Sequence, residues 1–451
     1  MLPLAQIAHG FGHDVAGSDR SYDQGRTPQK FEWLADNGFA LYPQDGSGIV
    51  SADQVLIASA AVEDTVPEVA KARELGCDRM SRAELLSALF NEAGYSIAVG
   101  GTSGKSTVTG MIAWILSEGR YDPTVMNGAV MKNFVSEANP FASARIGNPR
   151  IFVSEVDESD GSIALYKPTI GVLLNVSLDH KSIEELRSLF GDYVHESGCA
   201  VINFDNEEAR FLAERTTNLV SFAVNDDSAD ITVEPDSIEE TAFGISAAVI
   251  DNRSREAAPL SLPMPGRHNL SNALAAIAAV SAAGIDVVKA ALALSSFKGL
   301  GRRFDVIGTT DSGITVIDDF GHNPEKCAAT LRTLKATSGR VIAFFQPHGY
   351  GPLKQMGDEL AETFARELDA NDITIMCDPV YYGGTVDRSE GTQRITDLIT
   401  GHGAVAEYIG ERSACGDRMA ELAKPGDRIV IMGARDDTLT SFARGLFEKL
   451  G

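Results

Sequence analysis

Val99-Gly100-Gly101-Thr102-Ser103-Gly104-Lys105-Ser106-Thr107 follows an apolar run, Tyr95 to Val99, and precedes residues Val108, Met111, Ile112, Ile115 and Leu116, which recur at helical spacing. A glycine-rich turn between a strand and a helix reads as a phosphate cradle. Glycine lets backbone N–H groups turn toward phosphate oxygens, Lys105 reaches the terminal phosphates, and the Ser106 or Thr107 hydroxyl suits Mg2+. A nucleoside triphosphate is therefore the leading ligand. The general pattern has glycine where this chain has Val99. The plainer alternative is a helix start capped by Ser103 or Thr102.

Length and composition bound the rest. With 451 residues the chain is too long for one ordinary core, so two or three domains are expected. A hydrophobic content of 44% with 23% charged residues fits a soluble globular protein. The net charge of -24 repels polyanions, which argues against nucleic acid and anionic membranes as partners. Cys77, Cys199, Cys327, Cys377 and Cys415 are scattered without zinc spacing and read as buried thiols of a reducing cytoplasm. The N-terminus does not read as a signal peptide, and the stretch Ala273 to Leu294 reads as a buried helix pair rather than a membrane span.

Three α/β domains are expected: 1–92, a Rossmann-like domain; 93–298, a central domain with a mostly parallel sheet and the phosphate loop; and 299–451, a second Rossmann-like domain. In the first, His13 to Gly17 and Val55 to Ser59 read as strands and Pro67 to Leu75 as a helix, yet the chain opens inside a helical pattern with no strand or Gly-rich turn before it. The first strand of that domain reads as missing. In the second, Ile151 to Ser154, Ile170 to Asn175 and Ala200 to Asn203 read as strands, and residues 230–250 as small antiparallel strands added to the sheet. In the third, strands at Thr315 to Asp318, Arg340 to Phe345, Asp372 to Cys377 and Arg428 to Met432 alternate with helices such as Glu325 to Lys335 and Met356 to Leu368.

Candidate chemistry sits at strand ends, where ligands bind in open α/β sheets. The run Glu155-Val156-Asp157-Glu158-Ser159-Asp160 follows a strand, and Glu155 is suited to complete Mg2+ coordination, although acidic runs are commonly solvated loops. Asn175-Val176-Ser177-Leu178-Asp179-His180 ends the next strand; His180 can ligate a divalent ion or contact a phosphoryl group, or simply close a turn. Asn269 and Asn272, ahead of the Ala-rich helix, could read an adenine edge as well as cap the helix. Arg302-Arg303 lies on a Gly-rich joint where a guanidinium could clamp phosphates on domain closure, and Asp318-Asp319-Phe320-Gly321-His322-Asn323-Pro324 would face the same cleft. Asp19, after the first strand, occupies a place where such sheets often hold a ribose.

Taken in order, GTSGKST, EVDESD, NVSLDH, GRHNLSN, GRRFD and DDFGHNP resemble the motifs of the Mur ligase family, and the likeness runs through the whole chain. That family's loop has the shortened form G-T-x-G-K-S/T-S/T, which accounts for Val99. The resemblance implies an ADP-forming ATP-dependent ligase of peptidoglycan synthesis or recycling, serving cell shape and division. Such an enzyme phosphorylates a substrate carboxylate and lets an amine displace the phosphate. Ala16-Gly17-Ser18-Asp19, Ser59-Ala60-Ala61-Val62, EVDESDGS and Phe345-Gln346-Pro347-His348 are most similar to the branch that adds L-alanine to UDP-N-acetylmuramate and to its peptide-adding relative.

Carried onto this chain, the resemblance implies catalytic roles for Lys105, Glu155, His180 and Arg303. It implies ATP contacts from Gly101, Thr102, Ser103, Gly104, Lys105, Ser106, Thr107, Asn269, Asn272, Arg303 and Asp318. Mg2+, replaceable by Mn2+, would be held by Ser106, Glu155 and His180. Contacts to a sugar nucleotide and to an amino acid or short peptide would come from Ser18, Asp19, Ser59, Asp319, His322 and His348. A cytoplasmic monomer or weak homodimer is expected. Ser103 stands where that branch usually has His, Gly349 where it has Arg, and the Gly-rich turn for the UDP diphosphate is absent from the sequence. A ligase with another acceptor, of the kind used by folylpolyglutamate and cyanophycin synthetases, and an ATP-binding regulatory homologue remain as alternative readings.

Overall fold

The computed structural model describes residues 1–59, 62–177, 181–380, 391–434, 436 and 438–451. The chain forms two compact units, one of Met1–Glu239, Ser246–Pro263 and Arg267–Lys298, the other of Glu240–Ile245, Met264–Gly266 and Gly299–Gly451.

In the first unit the apolar strand Tyr95–Gly100 is the centre of a broad sheet. It lies parallel between Asn148–Glu155 and Ile170–Leu173. Pro123–Met126 extends the sheet on one side, and Cys199–Asn203, Leu219–Phe222 and Ile231–Val233 on the other, all parallel. Antiparallel strands Ala144–Arg145 and Ile245–Asp251 flank these, and Glu256–Leu262 pairs with the latter. The mixed pattern of residues 230–250 thus forms the expected antiparallel addition. Chain order reverses at Tyr95–Gly100, since the next strands lie on one side of it and Ile170–Leu173 on the other. In such a sheet that is where a ligand crevice opens.

Both faces of this sheet are covered, which is why its strands read as continuous apolar runs rather than alternating ones. On one face helix Lys105–Glu118 lies along Arg267–Ala282, where Ala273, Ala275, Ala276, Ala278 and Ala279 are fully buried and let the helices approach closely. The expected helix pair is present, with Val287–Leu294 following a turn at Gly284, φ 83°. On the other face helix Ile183–Glu196, started by a capping box between Ser182 and Glu185, places Phe190 and Tyr193 in a core with Phe152 and Leu173.

Residues 1–92 share that core. Helix Leu2–Gly10 buries Leu4 and Ile7 beside Phe90 and Phe152. Two separate parallel pairs follow, Ala16–Ser18 with Ala40–Tyr42 and Val55–Ala58 with Asp78–Ser81. The first strand begins later than the sequence suggests because the His13 N–H still bonds the Ala8 carbonyl at 3.1 Å, finishing the preceding helix.

The second unit has a six-stranded sheet in the order Asp305–Thr309, Thr315–Asp319, Arg428–Gly433, Val341–Gln346, Ile373–Met376, Ala406–Tyr408. The first pair is antiparallel and the others parallel. Helices Pro324–Lys335, Tyr350–Glu367 and Thr392–Gly401 bury one core with Phe345 and Phe364, while Arg412–Leu422 and Leu439–Leu450 bury another with Phe344 and Met419. Helix Tyr350–Glu367 begins six residues before the expected Met356, since Pro352 sits in its first turn, where a missing N–H costs nothing. All five cysteines are free thiols; Cys327, Cys377 and Cys415 are buried, whereas Cys77 and Cys199 are only half-buried, short of the full burial expected.

Candidate active site

Strand Tyr95–Gly100 ends in the glycine turn, and helix Lys105–Glu118 begins at its far side. The helix start is Gly104 in a left-handed conformation, φ 90°, with no side-chain cap, so capping by Ser103 or Thr102 is not how this helix begins. A Cβ on Gly104 would stand 2.6 Å from Asn272 Oδ1, which brings the Arg267–Ala282 helix directly against the loop.

The loop is pinned to the end of the neighbouring strand. Asn175 Oδ1 accepts from the Ser103 N–H at 2.8 Å, and its Nδ2 donates to the Ser103 carbonyl at 3.0 Å. Its own carbonyl accepts from the Thr102 N–H at 3.1 Å, and the Ser177 N–H donates to Thr102 Oγ1 at 3.1 Å. Asn175 therefore fixes the loop backbone; both ends of its amide are spent there rather than turned to a nucleotide.

Two carboxylates meet the loop's functional side chains. Ser106 Oγ donates to Glu155 Oε2 at 2.6 Å, and Lys105 Nζ donates to Glu158 Oε2 at 2.7 Å and to the Gly101 carbonyl at 2.7 Å. Asn127 supports the same corner, donating from Nδ2 to the Ser106 carbonyl at 3.0 Å while its Oδ1 accepts from the Ala129 N–H at 3.1 Å. Gly128 leaves room for Glu155, since a Cβ there would lie 2.2 Å from Oε1. Thr107 is buried beneath the loop, and His180 lies outside the described residues.

This donor set suits a polyphosphate and a hard cation. Glycines at φ 135° and 90° expose backbone N–H groups, Lys105 supplies charge, and the Ser106 hydroxyl with Glu155 offers oxygen ligands of the kind Mg2+ takes. Among the described residues the Ser103 hydroxyl is buried without a hydrogen-bond partner, an orphan that a phosphate oxygen would satisfy.

The remaining expected residues are placed as follows. Ser18 Oγ donates to Glu68 Oε1 at 2.9 Å. Asp19 caps a short helix, accepting from the Ser21 N–H at 2.7 Å, and lies 3.6 Å from Lys30 Nζ. The Ser59 carbonyl accepts from the Val62 N–H at 3.0 Å. In the second unit Asp318 is fully buried, with one oxygen facing Arg302 Nε at 3.4 Å and the other accepting from Thr440 Oγ1 at 2.6 Å. Burial lifts its carboxyl above the ordinary range, against the pull of Arg302. Asp318 thus holds Arg302, which also donates to the Gly433 carbonyl at 2.6 Å.

Asp319 is likewise engaged internally, with the Phe304 N–H, Gly321 N–H and Thr330 hydroxyl at 2.7, 2.8 and 2.9 Å, so it shapes the turn rather than presenting a free carboxylate. Arg303 stacks on Phe320, 4.4 Å from the ring centre. His322 sits edge-on to His348, ring centres 5.3 Å apart, at a cleft lined by Phe345, Pro347, Leu353 and Met356. Burial, then the charge of Lys326, pushes the His322 imidazole down to about 4, so it is neutral and its Nδ1–H donates to the Phe320 carbonyl at 2.9 Å.

Three models of one protein family match most of the chain. Residues 1–93 match the "Mur ligase family, catalytic domain" model, 99–280 the "Mur ligase middle domain" and 302–435 the "Mur ligase, glutamate ligase domain". The UDP-N-acetylmuramate–L-alanine ligase of Jannaschia sp. is 35% identical over 466 residues, covering 100% of this chain and 93% of that protein. The protein of the same name from Brucella anthropi is 33% identical over 459 residues, covering 98% and 94%. The chain belongs to the Mur ligase family.

Solved Mur ligase structures share its fold. That of UDP-N-acetylmuramate-alanine ligase MurC from Thermotoga maritima superposes with a TM-score of 0.80 at 25% identity, covering 100% of this chain and 96% of that one. The murein peptide ligase of Psychrobacter arcticus gives 0.71 at 25% identity, covering 100% and 96%. Within this Mur ligase, sequence reading missed Asn127, Gly128 and Glu158 as builders of the loop. Glu158 was visible only as one acid in a run of four among six residues, and nothing in the run distinguishes the one that meets Lys105. Among the described residues, no helix is long and apolar enough to cross a membrane.

Proposed function

We propose that this Mur ligase joins the carboxylate of UDP-N-acetylmuramate to the amine of L-alanine, converting ATP to ADP and phosphate. The observation that carries the proposal is the loop corner, where Lys105 and Ser106 each meet a carboxylate from the adjoining strand end. Its support is the full-length similarity to relatives named for this reaction. In this reading residues 1–92 receive the sugar nucleotide, 93–298 the ATP and 299–451 the amine, in a cytoplasmic monomer or weak dimer.

Activating a carboxylate brings two anions together, the substrate carboxylate and the terminal phosphate. Lys105 offsets that repulsion, and Asn175, by fixing the loop backbone at Thr102 and Ser103, holds the loop's other N–H groups as donors that need no rearrangement as charge develops. Ser106, Glu155 and His180 would hold Mg2+, which would supply further positive charge to the phosphate oxygens. Asn269 and Asn272 lie on the helix that meets the loop and take the adenine side. Arg303 contributes a guanidinium to the phosphoryl group, and its stacking on Phe320 limits the side-chain freedom lost when it does so. The neutral His322 and the apolar lining beside it suit a small uncharged side chain on the amine.

Incubation of the purified protein with ATP, Mg2+, UDP-N-acetylmuramate and single amino acids or short peptides, read by product mass, tests the assignment. The expected product is the L-alanine adduct. Adducts formed only with a peptide would assign the reaction to the murein peptide ligase type instead.

A further inference from the structure

Glu158 faces the phosphate loop although it is not a member of it. Its side chain is 8% exposed and its partner Lys105 19%, with 2.7 Å between Nζ and Oε2. The same ammonium also donates to the Gly101 carbonyl, so it is folded back across its own loop. The turn carrying Glu158 is fixed: the Val156 N–H bonds the Val99 carbonyl, the Ser159 N–H bonds Asp157 Oδ1, and the Gly161 N–H bonds the Glu158 carbonyl, at 3.0, 3.0 and 3.1 Å. The backbone that carries the carboxylate is therefore held in place beside the loop. A buried anion set against the lysine of a phosphate loop occupies the electrostatic role of a phosphate oxygen.

We propose that Glu158 is an internal stand-in for the terminal phosphates: it holds Lys105 in the nucleotide-free protein and is displaced from it by a polyphosphate. This rests on the ATP reading above. Breaking a buried ion pair from one side leaves the remaining charge uncompensated, which is costly. Part of the attraction between Lys105 and a nucleotide is thereby offset, and the offset falls only on nucleotides long enough to reach Lys105. Glu158 is thus a positioning residue that weakens the binding of di- and triphosphates and leaves monophosphates alone.

The test compares wild type with Glu158→Gln, which keeps a hydrogen-bonding group beside Lys105 but removes the charge. Equilibrium dissociation constants are measured for ATP, ADP and AMP with Mg2+. ATP and ADP are expected to bind about tenfold tighter to the variant, equivalent to about 1.4 kcal/mol, and AMP equally well to both. A merely structural role for Glu158 would move all three together. Unchanged or weaker ATP binding, or an equal shift in all three, overturns the proposal. Should Glu158→Gln fail to fold, Glu158→Asp, which draws the carboxylate back by one methylene, is expected to give the same order with a smaller shift, and its absence has the same force. Wild-type protein that binds none of the three contradicts the nucleotide reading itself, and this inference with it.

Discussion

His322 shows how burial sets a single group's chemistry. Its imidazole is held down to about 4 by desolvation first and by Lys326 second, against an ordinary value of 6.5. Between those values the unfolded chain binds a proton that the folded chain refuses, so stability rises with pH through this window and is lost as pH falls toward 4. Replacing His322 with Gln should therefore remove about 2 kcal/mol of the stability difference between pH 4.5 and pH 7, measured from urea midpoints. An unchanged slope would mean that another group titrates there. Lys105 is a less clean target, because its removal deletes the phosphate donor and also leaves Glu158 buried without a partner. Asp318 and Asp319 carry a related lesson: the sequence offers both as ligand groups, and folding also gives each internal partners, Arg302 and Thr440 for Asp318, and the Phe304 and Gly321 N–H groups with the Thr330 hydroxyl for Asp319.

Among elements, the strand–loop–helix from Tyr95 to Glu118 was legible because glycine spacing and apolar periodicity agree over it. What surrounds it was not. Asn127 and Gly128 reach the loop from the end of another strand, and only tertiary contact shows that Gly128 leaves the space Glu155 fills. Gly128→Ala should push the Glu155 carboxylate off Ser106 while the fold persists, because the crowded atoms end a flexible side chain. The Mg2+ concentration giving half-maximal turnover is expected to rise about tenfold, with melting changed by only a few degrees. An unchanged Mg2+ requirement would separate Glu155 from the metal. The strands of residues 1–92 were the hardest to place, since Ala16–Ser18 and Ala40–Tyr42 have only three residues each, too few for any period to show.

For the whole molecule, the α/β rhythm and the order of the motifs were readable in the sequence, while the sharing of one core by residues 1–92 and the central sheet was not. Leu4 and Ile7 look like any amphipathic helix positions until Phe90 and Phe152 are found beside them. Each unit has its own buried core, so ligand linkage should act on them unequally. ADP with Mg2+ at a hundred times its dissociation constant should add about 2.7 kcal/mol to the unit containing the phosphate loop, read by hydrogen exchange of the Lys105–Glu118 and Arg267–Ala282 helices. Equal protection throughout Gly299–Gly451, with no excess in those two helices, would contradict a nucleotide held chiefly by the first unit's loop. The central claim is a ligase that couples ATP to joining a carboxylate and an amine, and the most direct measurement is phosphate release with each substrate withheld in turn. Release is expected only when ATP, UDP-N-acetylmuramate and L-alanine are all present, in equal amount to the adduct formed; release at the same rate without the sugar nucleotide or the amine would contradict it.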